Sequence, residues 1–500
     1  MFPSDVYLNR RNRLRSKINN GIILLPGNCD APMNYAGNTY HFRQDSSFLY
    51  FFGINQPDLA GVLDVDSGED ILFGNDVDMD DIIWMGPQPL MSERAALAGV
   101  RKTLPLSDIP AYLNRQIKLG RRIHFLPPYR AQTTLQLSSW LGIAVDSVKN
   151  YASEELIKDV VSLREVKDSG EIAEIEAMVN VAKEMHVAAM KMAKPGTIER
   201  EVAGTIEGIA LQKAAGVSFP VILSINGQTL HNHYHGNIMH EGRMMVADAG
   251  CESEMNYCSD ITRTVPVGGK FSPRQKSIYE IVLNANKKAI ETIKPGIFYR
   301  DVHILACTVI AEGLKELGLM KGDSGAAVAA GAHALFMPHG LGHMMGLDVH
   351  DMENLGENFV GYDHEISRSS QFGLAFLRLG KRLREGFVLT VEPGIYFIPA
   401  LIDQWKQEKL HTEFIDYDKV ETFKDFGGIR IEDDVLVTDS GCRVLGNPIP
   451  KEVREIEALI QYFAPIAIEA GNSFVSGFLL FHLLLSVENH WISFNLLTKT

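Results

Sequence analysis

Asp248 and Asp260 close the two ends of a short polar interruption in DAGCESEMNYCSDITRT. The preceding run, Met244 to Ala247, is apolar and strand-like, and Glu252 to Asn256 reads as a turn. Tyr257 to Val267 then resumes a β pattern rich in Thr, Ile and Val. Alternate side chains of a strand share a face, so Cys258, Asp260, Thr262 and Thr264 are expected to point one way. Folded as a hairpin, the two strands bring Asp248 and Asp260 together. Apposed carboxylates repel unless a cation lies between them or they share a proton. The plain alternative is an acid at each end of a surface hairpin.

Other stretches carry chemistry of the same kind. Leu230 to His240 (LHNHYHGNIMH) and Phe336 to Asp351 (FMPHGLGHMMGLDVHD) are rich in His. Val388 to Phe397 (VLTVEPGIYF) and Gly427 to Thr438 (GGIRIEDDVLVT) hold Glu392 and Glu432 inside apolar, strand-like runs. Together these pieces supply two Asp, one His and two Glu. Hard oxygen donors with one imidazole suit Mn, Co, Fe or Zn, and the excess of carboxylate favours Mn. Four carboxylates among five donors can hold two ions about 3.5–4 Å apart, the two-metal route to hydrolysis.

The elements that position these residues are legible in outline. Leu8 to Ile18 predicts a basic helix, Gly21 to Pro26 a buried strand, and Leu59 to Phe73 a hairpin turning at Asp66-Ser67-Gly68. His41 to Ile54 is rich in aromatics. Ile109 to Leu119 predicts a helix and Arg122 to Leu126 a strand, completing an α/β domain. Ser153 to Lys167 reads as a charged connection, and Glu171 to Lys194 as a long helix with apolar residues at helical spacing. Lys194-Pro195-Gly196 and the Arg200 that follows are echoed at Lys294-Pro295-Gly296 and Arg300, each copy ending one helix and starting another. Ser272, Pro273 and Gln275 form a capping-box start. Two related helix pairs imply a domain of two similar halves with a site between them.

The bulk numbers narrow the function class. A net charge of −14 argues against nucleic acid, which asks for basic patches. Five scattered Cys argue against a disulfide framework and fit a reducing cytoplasm. The N-terminal stretch has no apolar core of the kind a secretion leader needs. Phe474 to Val487 is apolar but shorter than the about 20 residues of a membrane span, so a docking helix is expected and a membrane role is not.

On these motifs the chain resembles the pita-bread metallopeptidases (aminopeptidase P, prolidase and methionine aminopeptidase), and within them the Xaa-Pro-cleaving members. The resemblance covers residues 1 to 460 and rests on several motifs in family order: DAG, SDITRT, HGLGH, LDVHD, TVEPG and RIEDD. It implies an α/β (α+β) chain with an aminopeptidase P-type N-terminal domain at 1–155 and a linker at 156–168. A pita-bread catalytic domain of two pseudo-symmetric halves follows at 169–465, and the tail at 466–500 has no counterpart. It implies Asp248, Asp260, His343, Glu392 and Glu432 as metal ligands, with Asp260 and Glu432 bridging and Glu392 also moving protons. His231, His339 and His350 fall on the substrate side, and Arg430 resembles a residue orienting Glu432. His233 and His235 compete with His231 for its assignment; His240 reads as surface, and Met344, Met345 and Tyr396 as packing. The Asp pair is 12 apart (260 − 248), one more than in many relatives, which a turn can absorb.

The activity so implied is removal of the N-terminal residue from peptides with proline in second place. Two divalent ions would serve it, Mn²⁺ first, with Co²⁺, Zn²⁺ or Fe²⁺ as substitutes. The alternative is a dipeptidase of the prolidase kind, in which Arg378 of LRLGKRL grips the substrate's C-terminal carboxylate. A non-catalytic binding module on the same fold is a third reading, opposed by the complete ligand set. Resemblance also implies a homo-oligomer.

Overall fold

The computed structural model describes residues 1–462, so the apolar tail read at 466–500 lies outside the described residues. The N-terminal part is built on a five-stranded sheet in the order Lys102–Leu104, Asp70–Phe73, Ala60–Asp64, Ile22–Pro26, Ile123–His124. Ile22–Pro26 runs antiparallel to Ala60–Asp64 and parallel to Ile123–His124. The predicted hairpin pairs Ala60 with Phe73, and Gly68 takes φ 74° in its turn. The aromatic-rich segment becomes the helix Ser46–Phe52, capped by Asp45, with Phe48, Phe51 and Phe52 fully buried.

The segment read as a charged connection is itself a helix, Glu154–Arg164. Its charges alternate with Leu156, Ile157, Val160 and Val161, which are buried, and Ser153 caps it. Charge density hid an amphipathic face there.

The remaining part has two halves of the same build. Helices Ser169–Met192 and Glu199–Lys213 meet at Lys-Pro-Gly, as do Pro273–Thr292 and Tyr299–Glu316. The helices end at Met192 and Thr292, and Gly196 and Gly296, at φ 91° and 89°, lie in the turns that follow, so the sequence echo is a repeated left-handed turn between helices. The capping box at Ser272 forms with Gln275 as expected. One half carries the sheet Ile261–Pro266, Met244–Ala249, Ile222–Ser224, and the other the sheet Val388–Val391, Asp433–Val437, Cys442–Val444.

Buried charges lock the parts together. Arg263 is 1 % exposed; its guanidinium pairs with Asp433 at 2.7 Å and donates to the carbonyls of Thr262 and Glu432. Arg164 donates to Ser47, Asp348 and Asp351 at 3.0, 3.2 and 2.6 Å, and Lys167 to Asp351 at 2.8 Å. Arg43 pairs with Glu252 at 2.9 Å and Ser46 donates to Asp348 at 2.6 Å. The Asp348–Asp351 loop that carries His350 is thus held by residues from the N-terminal sheet region and the helix after it.

Candidate metal centre

The hairpin forms as predicted, with Asp248 opposite Thr262 and Ala249 opposite Ile261. The strand starts later than the sequence pattern suggests, at Ile261. The intervening chain makes a short strand, Cys251–Glu252, turns at Glu254–Met255, and places Asn256 at φ 66°. The two acids are thus joined by an irregular loop rather than a tight turn. Asp260, Thr262 and Thr264 face the site, whereas the Cys258 sulfur lies against the carbonyls of Asn256 and Leu347. The expected four-residue face is therefore a three-residue one, because Cys258 precedes the regular strand.

Backbone bonds bring the other motifs to the same point. The Asp260 N–H donates to Asp434 at 3.0 Å and the Glu432 N–H to the Thr262 carbonyl at 3.1 Å. The Thr390 N–H donates to the His343 carbonyl, and the Glu392 N–H to the Leu341 carbonyl. Two motif glycines are required by close approach. A Cβ at Gly250 would lie 1.8 Å from the Ser259 carbonyl oxygen, and one at Gly342 would lie 2.0 Å from that of Thr390.

Asp260, His343 and Glu432 each present a donor atom within 4.8 Å of the others. His343 Nε2 stands 3.4 Å from Asp260 and 3.8 Å from Glu392, while its Nδ1 is held on the Met344 carbonyl at 3.0 Å. Asp248 is tied to the group by Arg430. Burial, then the charges of Asp248, Asp434 and Glu392, hold the Asp260 carboxyl well above its usual range. Burial, then Asp260 and Glu392, do the same for Glu432, and burial raises Glu392 against the pull of His343 and Arg430. Asp248 Oδ1 and Asp260 Oδ1 are buried without a hydrogen-bond partner. Crowded carboxylates with orphaned oxygens are the condition a divalent cation relieves. The five residues therefore fit such ions in donor type and in unmet bonding capacity.

These residues open on a cavity of about 520 Å³. His231, His339, His350, Arg378 and Arg430 all line it, so every sequence-selected site residue is brought to one place. His339 Nδ1 donates to the Gly340 carbonyl at 2.7 Å, and its Nε2 accepts from the Tyr396 hydroxyl at 3.0 Å. Burial and the Arg430 charge push its pKa down to about 3, so it is neutral. His350 donates from Nδ1 to Glu353 at 3.1 Å, and its ring lies 4.0 Å from that of His343 at a 43° tilt; burial and His343 bring its pKa down to about 4. His233 and His235 both lean on the Val221 carbonyl, at 3.4 and 3.1 Å. His231 has no such tie among the described residues, and burial and Arg430 lower its pKa. His240 is exposed, as read.

Arg430 pairs directly with Asp248 and reaches Glu432 only through Thr262, which accepts from its Nε at 3.1 Å and donates to Glu432 at 2.7 Å. Burial opposes its charge, but Tyr396, Asp248, Glu392 and Glu432 more than offset that and raise its pKa. Arg378 donates to Glu353 and Glu357 at 2.5 and 3.1 Å. Two functional contacts escaped the sequence reading. Tyr396, read as packing, is fully buried but joins Arg430 Nη1 at 2.9 Å to His339. Asp434 holds the Asp260 backbone. The doubled acid in RIEDD and the polar tip of Tyr396 were the available signals.

Residues 173–439 match the model of metallopeptidase family M24, and residues 7–124 that of the aminopeptidase P N-terminal domain. The chain is 32% identical to a human Xaa-Pro dipeptidase, covering 87% of this chain and 88% of that one. It is 33% identical to a probable Xaa-Pro aminopeptidase of Fusarium vanettenii, covering 92% and 97%. Among solved structures it superimposes on aminopeptidase PepP of Pseudomonas aeruginosa with a TM-score of 0.76 at 29% identity, over 92% and 99% of the chains. Zinc-substituted Escherichia coli aminopeptidase P in complex with product gives the same score at 28% identity, over 93% and 99%.

Proposed function

Because the chain belongs to metallopeptidase family M24, whose pita-bread fold it has, we propose that it hydrolyses the bond between an N-terminal residue and a following proline, as an Xaa-Pro aminopeptidase. The observation that carries this reading is the convergence of four carboxylates and one imidazole on a peptide-sized cavity. Asp248, Asp260, His343, Glu392 and Glu432 would hold two divalent ions, Mn²⁺ by donor hardness. Ions held there supply Lewis acidity toward the scissile carbonyl and acidify the attacking water.

The chain's own groups do the rest. Glu392, partly open to the cavity, takes a proton from the attacking water and passes it to the prolyl nitrogen. Arg430 fixes Asp248 directly and Glu432 through Thr262. His339 is locked by Tyr396 and Gly340 and shapes the wall. His231 is the imidazole open to donate toward the developing oxyanion. His350 keeps its proton on Glu353, leaving Nε2 as an acceptor for a substrate N–H. Phe219, Pro220, Ile222, Val349 and Phe376 line the cavity and offer the apolar surface for a proline ring, which brings no N–H to bind.

The prolidase reading rests on Arg378, which lines the same cavity. Its Nη1 donates to both Glu353 and Glu357, which leaves Nε and Nη2 to meet a substrate carboxylate. Peptides with proline in second place are thus the partners, and the homo-oligomer and the cytoplasm are part of the same reading. All five cysteines are free, which suits a reducing compartment. Among the described residues no helix is long and apolar enough to cross a membrane.

The test compares Xaa-Pro with Xaa-Pro-Yaa, using protein stripped of metal and reloaded with Mn²⁺. Release of the first residue from the tripeptide supports the aminopeptidase; cleavage of the dipeptide alone supports the prolidase. No cleavage of either by metal-loaded protein overturns both.

A further inference from the structure

A second group of donor atoms lies between the helix Tyr299–Glu316 and the short turn Ala332–Leu335. His303 and Cys307 are four residues apart on that helix, one turn apart on one face. His333 comes from the turn. All three are 0 % exposed, and one donor atom from each lies within 4.8 Å of the other two.

This group has unmet bonding capacity. Neither ring nitrogen of His333 has a hydrogen-bond partner; the Val328 carbonyl acts on the ring without reaching hydrogen-bonding geometry. His303 meets the Cys307 sulfur, 3.5 Å from Nε2 and 3.9 Å from Nδ1, a weak partner for an imidazole. A neutral imidazole carries one donor and one acceptor, and leaving both unmade in the interior is costly. A buried polar cluster of this kind holds an ion or a water.

We propose that His303, Cys307 and His333 form a second, structural metal site for a thiophilic divalent ion of the zinc class. A tetrahedral zinc with sulfur and nitrogen ligands sets its donors about 3.4–3.6 Å apart, within reach of small side-chain rotations from the observed spacing. The three donors leave one position for water. Sulfur with imidazole selects zinc over manganese, whereas the carboxylate set at the cavity favours manganese, so the two sites sort metals by hardness. Burial keeps both imidazoles in the ligand form, with pKa values down to about 3 for His303 and about 4 for His333. Burial pushes the Cys307 thiol up, so metal uptake displaces its proton to solvent and releases one H⁺ per ion. The ion would tie the helix to the start of the run leading into His339 and His343.

Cobalt separates the two sites. The carboxylate centre has no sulfur ligand, so thiolate-to-cobalt charge-transfer absorption that Cys307→Ser abolishes reports on Cys307. Full-length protein is stripped of metal, loaded with Co²⁺, and its near-ultraviolet spectrum recorded. The band is expected in the wild type and absent from Cys307→Ser and His333→Gln. Metal content after zinc loading should fall by one ion per chain in each variant. A wild type without the band refutes the site whether or not the variants fold, leaving a buried water in its place. Equal zinc content in wild type and Cys307→Ser also refutes it.

Discussion

Tyr396→Phe removes one oxygen and keeps the ring. That hydroxyl accepts from Arg430 at 2.9 Å and donates to His339 at 3.0 Å, while the ring sits edge-on to His339 with centroids 5.3 Å apart. The hydroxyl is buried, and burial raises the Tyr396 pKa to about 12, so the proton stays on it. A bond to a charged partner is worth about 1.5–3 kcal/mol and a neutral one about 0.5–1.5 kcal/mol. Losing both costs about 2–4.5 kcal/mol, toward the lower end because Arg430 keeps Asp248 and Thr262. Urea unfolding of the metal-loaded protein should show a lower midpoint at unchanged slope. With Nε2 of His339 left without its donor, only the Gly340 carbonyl on Nδ1 still holds the ring, and the loosened cavity wall should lower kcat. An unchanged midpoint together with an unchanged kcat would refute the relay from Arg430 through Tyr396 to His339.

Three further outcomes follow from the same geometry. In metal-free protein at pH 7, Asp260→Asn should raise the melting temperature, because it removes a buried charge that Asp248, Asp434 and Glu392 repel; with metal present the same variant should be less stable than the wild type, and calorimetry of both forms checks the reversal. Gly342→Ala sets a methyl group 2.0 Å from the Thr390 carbonyl oxygen, so it should cost at least about 1–3 kcal/mol and shift His343; equal stability by urea unfolding would contradict the close approach. Asp351→Asn leaves Arg164 and Lys167 buried beside a neutral group and should cost about 3–5 kcal/mol. Burial works against the Asp351 carboxylate, but Lys167 and Arg164 hold its pKa below the usual Asp value. Its contribution is thus complete above the unfolded value of about 3.9 and is lost as pH falls toward the folded one. The gap between wild type and variant should be flat from neutral pH down to about 5 and narrow below about 4; a gap that widens on acidification would overturn the assignment.

The residues that were legible in the sequence are those whose position defies their type. Asp248, Glu392 and Glu432 sit in apolar, strand-forming runs where a lone acid is costly, so each marks a place where something else compensates. Tyr396 lies in the same kind of run, but a tyrosine there satisfies the core by its ring, and its hydroxyl partners are 34 and 57 residues away. Nothing local announces them. The helix Glu154–Arg164 was obscured for the opposite reason: its exposed charges outweighed an apolar face that closes only in three dimensions. The Lys-Pro-Gly echo was legible because a left-handed turn between two helices has a local residue requirement, met twice by glycine.

The arrangement of the halves explains how repelling acids are held together before any ion arrives. No single strand carries the set: Asp248 and Asp260 come from one sheet region, Glu392 and Glu432 from the other, and His343 from the loop between. Bringing them together is unfavourable, so their approach must be imposed by contacts that do not involve their charges. Those contacts are the Glu432-to-Thr262 and Thr390-to-His343 backbone bonds and the paired bonds between Thr264 and Arg430. Arg263 adds a buried charge that bridges Thr262 to Asp433 and Glu432 from behind the site. An Arg263→Met variant would keep every proposed ligand and lose that brace. It should therefore bind metal more weakly and unfold at lower urea, with the larger loss in the metal-free form, where repulsion is unrelieved. Equal losses with and without metal would show that the brace serves the fold alone and that the carboxylates need no outside force to stay apposed.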